Sequence, residues 1–144
     1  MGRDFVDTDE VFLAREHLSV QDYLRTHDEA DFRRHEIDAL TQSLTSPGVV
    51  ATGGGIVTTR AGRELLRGEL TLWLDCPDDV LASRVVGGDR PLLDGDTVGR
   101  LSTLRAQREA HYRQVSRFRV DASEPLDVVV QRLLAIVENA RASS

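Results

Sequence analysis

Residues Phe5 to Asp9 read FVDTD, and this stretch sets the register for the rest of the chain. Phe5 to Asp7 has the apolar start and acidic finish of a short strand leaving a sheet. Side chains two apart on a strand share a face, so Asp7 and Asp9 are predicted to project together beyond its carboxyl end while Thr8 faces away. Ligands of open α/β sheets bind at that end. Two carboxylates there can hold a hydrated metal ion, accept hydrogen bonds from a polyol, or take a proton from an attacking hydroxyl. Equally, two solvated acids can simply end a strand.

Downstream, short apolar runs alternate with amphipathic stretches. Ser19 and Asp22 form a capping-box-like helix start, and a second helix is predicted from about Glu29 to Leu44, stopping before Ser46-Pro47-Gly48. Gly48 to Thr52 (GVVAT) reads as a buried strand ending at Gly53. Leu70 to Asp75 (LTLWLD) reads as a strand covered on both faces, with Trp73 and Cys76 in the core. Residues 87–99 are predicted to be a loop, Val98 to Arg117 a helix, and Phe118 to Ala122 a short strand. Pro125 opens a last helix with Val128, Val129, Leu133, Ile136 and Val137 on one face, and the tail ARASS frays. The alternation predicts an α/β protein, one domain over residues 1–144, with a parallel sheet and helices on both faces.

Composition narrows the partners. A chain of 144 residues fits one core, and a net charge of -6 argues against a nucleic-acid surface. The single cysteine forbids an internal disulfide, and no apolar run is long enough for a signal peptide or membrane span, so a cytoplasmic setting is expected. All 18 basic residues are arginine; lysine does not occur. Any step requiring a lysine is closed to these residues.

Four stretches carry candidate chemistry. Gly53, Gly54 and Gly55 follow a strand directly; three residues without side chains let a ligand sit against backbone amides, although a tight strand-to-helix turn explains one or two of them. Neither G-x-x-x-x-G-K-[ST] nor G-x-G-x-x-G occurs. In DFRRHE, Arg33 and Glu36 lie three apart, as in an ordinary helix-surface ion pair, or else Arg33 forks onto a ligand carboxylate. AQREAHYRQV offers Arg108 and Arg113. In GGDRPLL, Gly87 and Gly88 suit a hinge and Arg90 suits a lid over phosphate. His17, His27, His35 and His111 show no metal-ligand spacing and read as surface or packing residues.

In this order and spacing, "DTD", "SVQDYLRTHDEADFRRHE", "GGG", "RPLL" and "REAHY" resemble the shikimate kinase family over nearly the whole chain. Asp28 stands where the family usually has glycine. The resemblance implies a three-layer P-loop-kinase-like fold and transfer of the ATP γ-phosphate to the 3-hydroxyl of shikimate, with Mg2+. By motif match, Asp9 binds the substrate hydroxyls and assists proton removal. Arg33 and Arg108 clamp the shikimate carboxylate, Gly53 to Gly55 line the substrate, and Gly54 offers its N–H. Asp7 sits in the magnesium shell, Arg90 closes onto the transferring phosphate, and Arg84, Ser123 and Pro125 belong to the adenine site.

The resemblance also implies a first, central strand and a phosphate-binding loop before "DTD", and these residues hold neither. Nucleotide affinity and activity are therefore expected to be weak, with two unpaired edges between the strands at 49–52 and 70–75, unless a missing N-terminal segment or a complementing chain supplies the strand. Four readings stay open: a shikimate kinase lacking its front, a non-catalytic shikimate-binding module, a kinase for a related cyclic polyhydroxy acid, or a decayed chain with no stable fold.

Overall fold

The computed structural model describes residues 4–85 and 96–144. The chain divides into two compact units, Met1–Gly68 and Glu69–Ser144.

The first unit contains strand β1 (Asp4–Asp7), helices α1 (Thr8–Glu16), α2 (Val20–Thr26) and α3 (Glu29–Ser43), strand β2 (Gly48–Ala51), a 3-10 turn (Gly54–Thr58) and helix α4 (Arg60–Arg67). β1 and β2 pair in parallel, Phe5 opposite Val49 and Asp7 opposite Ala51. The strand does not extend through Asp9, contrary to expectation. It ends at Asp7, whose carboxylate caps α1 by accepting from the Asp9 amide at 2.9 Å. An aspartate ahead of a helix satisfies an amide that would otherwise lack a partner and complements the helix dipole, and here that outweighs the strand period. Thr8 is buried, and Asp9 lies in the first helical turn.

The helix start predicted at Ser19 forms, and α3 begins at a cap that was not predicted, Asp28. Ser19 accepts from the Asp22 amide at 3.1 Å, and Asp28 accepts from the Asp31 amide at 2.7 Å. The three helices enclose Phe12, Tyr23, Phe32 and Ala39. Phe12 meets Tyr23 edge-on at 5.1 Å and Phe32 at 5.3 Å. Each such ring contributes roughly 1.5–3 kcal/mol by burial, with about 0.5–1.5 kcal/mol more for each aromatic pair. This cluster fixes α3 against α1, which matters because α3 carries Arg33. Two histidines are packing residues, as expected: His27 stacks on Tyr23 at 3.9 Å, and His35 sits edge-on to Phe12. His35 Nδ1 lies 2.8 Å from Glu16 Oε1, close enough for electrostatics but not aligned as a hydrogen bond.

The Tyr23 hydroxyl donates to Asp31. That bond pushes the phenol up to about 12, with burial adding to it, and holds the Asp31 carboxyl below its usual range. A raised phenol stabilises the fold below its ordinary ionisation range and loses that contribution as pH rises towards about 12. The lowered Asp31 acts in the opposite sense, contributing above the ordinary carboxylate range and losing the contribution as pH falls. Ultraviolet titration is expected to show a phenol ionising near pH 12 that disappears in Tyr23→Phe, together with a lower unfolding midpoint. Persistence of that phase in the variant would remove Tyr23 from this role.

The second unit contains β3 (Leu72–Asp75), α5 (Asp78–Val85), α6 (Thr97–Val115), β4 (Phe118–Asp121) and α7 (Leu126–Ala142). β3 and β4 pair in parallel, Leu72 opposite Phe118 and Asp75 opposite Asp121. Trp73 and Cys76 are buried as predicted. Leu74, however, is 52% exposed, so β3 alternates instead of being covered on both faces. Trp73 stacks on Tyr112 of α6 and lies 4.9 Å from the Arg119 guanidinium carbon, while the next side chain points to the opposite face.

α6 begins at Thr97 behind Asp96, whose carboxylate accepts from the Gly99 amide, so residues 97–99 of the predicted loop are helical. Residues 87–95 of that loop lie outside the described residues. α7 runs to Ala142, further than the frayed tail allowed, and its apolar face is largely half-buried around Val129. The described strands form two parallel pairs, β1 with β2 in the first unit and β3 with β4 in the second. No described helix is long and apolar enough to cross a membrane.

Candidate active site

In the first unit the site grows from the stretch DEADFRRHE, residues 28–36. Asp28 caps α3, so Glu29, Arg33 and Glu36 fall on one helix face at spacings of four and three. Arg33 is buried, and its fork is divided between two carboxylates. Nη1 donates to Glu36 Oε2 at 2.8 Å, and Nη2 donates to Glu29 Oε1 at 3.1 Å. Nε is buried with no hydrogen-bond partner. The expected helix-surface ion pair is thus an interior one: the Glu36 side chain is 7% exposed, whereas that of Glu29 is 67% exposed.

The glycines explain why Arg33 can lie there. A Cβ on Gly55 would stand 2.3–2.5 Å from Nη2, Nη1 and Cζ of Arg33, so this position is glycine because the guanidinium occupies the space. A Cβ on Gly53 would lie 3.2 Å from Glu36 Oε1 and 3.9 Å from Asp9 Oδ1. The glycine turn thus brings Gly55 against Arg33 and Gly53 near Asp9 and Glu36, with Gly54 between the two glycines. Glu29 and Glu36 complete the set. Their spacing from Arg33 was readable in the sequence; their different burial was not.

Asp7 keeps one carboxylate oxygen on its helix cap. No group of three or more metal-ligating side chains exists among the described residues. Mg2+ needs only one or two protein carboxylates, the rest coming from phosphates and water, so Asp7 has the hard oxygen donor that such an ion requires.

The second unit places its candidate residues separately. Arg84 donates to the Ala122 carbonyl at 2.7 Å, tying α5 to the turn after β4. In that turn Ser123 donates through its amide and its hydroxyl to Asp121, holding that carboxyl below its usual range, and Pro125 precedes α7. Arg84, Ser123 and Pro125 are thus brought to one turn. Arg108 is half-buried on α6. Arg90 lies outside the described residues.

Sequence reasoning missed the charge network below this turn. Asp75, buried at the end of β3, accepts from Arg105 at 2.8 Å and from Arg119, and Arg105 also reaches Asp78 at 2.9 Å. Asp78 is held below its usual range, first by the Ser102 hydroxyl. A cavity of about 620 Å³ opens here, with Asp75, Cys76, Arg105, Arg119 and Ser123 in its lining. Burial pushes the Cys76 thiol up, which keeps it protonated and unreactive.

Fold and site together define an α/β protein with parallel strands and a buried arginine fork packed against a glycine turn. The shikimate kinase family model matches residues 1–138, across both units. Shikimate kinase 2 of Syntrophotalea carbinolica is 40% identical over 144 residues, covering 94% of this chain and 83% of that protein. Shikimate kinase of Nostoc sp. is 36% identical, covering 95% and 78%. Among solved structures, shikimate kinase from Acinetobacter baumannii in complex with shikimate superposes with a TM-score of 0.88 at 26% identity, covering 96% of this chain and 80% of that one. The Aquifex aeolicus shikimate kinase gives 0.80 at 26% identity, covering 99% and 85%. The chain belongs to the shikimate kinase family. Shikimate kinases are ATP-dependent kinases, and the α/β fold predicted from the alternation is theirs.

Proposed function

We propose that these residues carry the acceptor site of a cytoplasmic shikimate kinase, which transfers the γ-phosphate of ATP to the 3-hydroxyl of shikimate. The observation that carries this reading is the buried Arg33 fork seated on Gly55, in the same glycine turn whose Gly53 lies near Asp9. A planar guanidinium with a vacant donor recognises a carboxylate by geometry as well as charge. Arg33 would hold the acid, and Asp9 would accept hydrogen bonds from the ring hydroxyls; Arg108 keeps the carboxylate-binding role that the family motif implies for it. In the transfer, the bond from the γ-phosphorus to the leaving oxygen of ADP breaks, the 3-hydroxyl oxygen bonds to phosphorus, and its proton passes to the Asp9 carboxylate.

Phosphoryl transfer depends on positioning and charge neutralisation more than on covalent help. Arg90 is proposed to meet the transferring phosphate, and Arg84 with the Ser123–Pro125 turn to receive adenine. Mg2+, when bound at Asp7, would neutralise charge on the phosphates. These 144 residues contain no G-x-x-x-x-G-K-[ST] and no lysine, so by themselves they are proposed to bind nucleotide weakly and turn over slowly. The same observation favours a second reading, a shikimate-binding module without catalysis.

Paired calorimetric titrations test the proposal, one with shikimate and one with magnesium-ATP. Heat from shikimate with little from the nucleotide is expected. No heat from shikimate would reject the acceptor site; tight nucleotide binding would reject the weak-donor reading.

A further inference from the structure

We propose that Glu29 is a resident carboxylate which occupies the Arg33 fork until a substrate acid displaces it, so that Glu29 sets the affinity of this site. The inference rests on the proposed acceptor function. It follows from how the guanidinium donors are distributed. An arginine offers a carboxylate two edges for a two-point hydrogen bond, Nη1 with Nη2 or Nη2 with Nε. Nη2 carries one N–H on each of these edges, and one of the two is held by Glu29 at 3.1 Å.

The other donors differ in kind. Nη1 is committed to Glu36, whose side chain is only 7% exposed, so withdrawing it would leave a carboxylate in the interior without this partner. Nε is buried and has no partner at all. The faces of the guanidinium are occupied too, by Gly55 on one contact and the Phe32 ring 5.0 Å from Cζ on another. An incoming carboxylate therefore gains most at the Nη2–Nε edge, where it would replace Glu29 and give Nε a hydrogen bond it otherwise lacks.

Glu29 is well suited to yield. Its side chain is 67% exposed, so once released it is rehydrated at little cost, and exposed ion pairs contribute little. It cannot drift far, because the Asp28 cap fixes the first turn of α3 through the 2.7 Å bond to the Asp31 amide. The result is an intramolecular competitor at high local concentration. It keeps the buried fork neutralised between substrates and lowers the apparent affinity for the acid.

The test is calorimetric titration of shikimate into the 144-residue protein and into its Glu29→Gln, Glu29→Ala and Arg33→Ala variants, at low and high salt. Removing the competitor is expected to tighten shikimate binding about 2- to 5-fold in both Glu29 variants, the factor set by an exposed ion pair, and the gain should shrink as salt rises. If Glu29 served only α3 through the helix dipole, both variants would lower the unfolding midpoint and leave affinity unchanged or weaker, and that result overturns the inference. Binding by the parent that Arg33→Ala abolishes, with no tightening in the Glu29 variants, rejects the competitor while leaving the acceptor site intact. Absence of binding in the parent and in every variant rejects both.

Discussion

Arg33→Ala is expected to weaken shikimate binding by about 2–4 kcal/mol, roughly 30- to 900-fold, because it deletes a desolvated charge-assisted fork. The same substitution takes the guanidinium partner from Glu36, whose residue is 5% exposed. Removing one member of a buried ion pair costs on the order of 3–5 kcal/mol of stability, so the unfolding midpoint should fall as well. Binding and stability must therefore be separated. Arg33→Lys keeps the charge but lacks the fork and the Nη2–Nε edge, so it should recover part of the stability and little of the affinity. Shikimate affinity equal to that of the parent in both variants would exclude Arg33 from substrate recognition.

Gly55→Ala should damage the site as severely, by a different route. The added Cβ would fall 2.3–2.5 Å from three guanidinium atoms of Arg33. An exposed arginine could swing away cheaply. This one cannot, since its Nη1 is fixed to a buried carboxylate and its stem packs inside the unit. Forced overpacking costs about 1–3 kcal/mol in stability, and a displacement near 1 Å at a positioning group can cost on the order of 100-fold in function. Gly53→Ala is the comparison: its Cβ would stop 3.2 Å from Glu36 Oε1, which a few tenths of an ångström relieves. Shikimate titrations of the two variants should therefore separate by roughly tenfold or more, Gly55→Ala being the weaker. Equal affinities would mean that the glycines serve the backbone turn and not the arginine.

Much of this was legible because it rests on local chemistry. Ser19 announces a helix start through a side chain that reaches the amide three residues on, and that cap forms; Asp28 caps α3 in the same way without having been singled out. The apolar run around Trp73 identifies a strand. What failed was periodicity over very short stretches. FVDTD fits a strand throughout until the helix beginning at Thr8 is known, and Asp7 is as good a cap as it is a strand residue. Over so few residues the two patterns cannot be separated, and the amide of Asp9 decides between them.

The site divides in the same way. Spacing in the sequence placed Arg33 and Glu36 on one face of a helix; Glu29, four residues before Arg33, obeys the same rule but was not singled out. Which pairs are buried depends on Phe12, Tyr23 and Phe32 closing over one side of α3, and that comes from tertiary packing. The Asp75, Arg105 and Arg119 network was invisible for a related reason: its members lie 30 and 44 residues apart, with no local pattern to connect them.

The most direct test of the acceptor site is a nitrogen-15 NMR titration of the 144-residue protein with shikimate, following the Arg33 Nε–H signal and the amides of Gly53, Gly54 and Gly55. The Arg33 Nε–H, which has no hydrogen-bond partner in the free protein, is predicted to shift downfield as it gains a carboxylate, with the glycine amides moving at the same concentrations. Saturating shikimate that leaves all four signals in place would contradict the account.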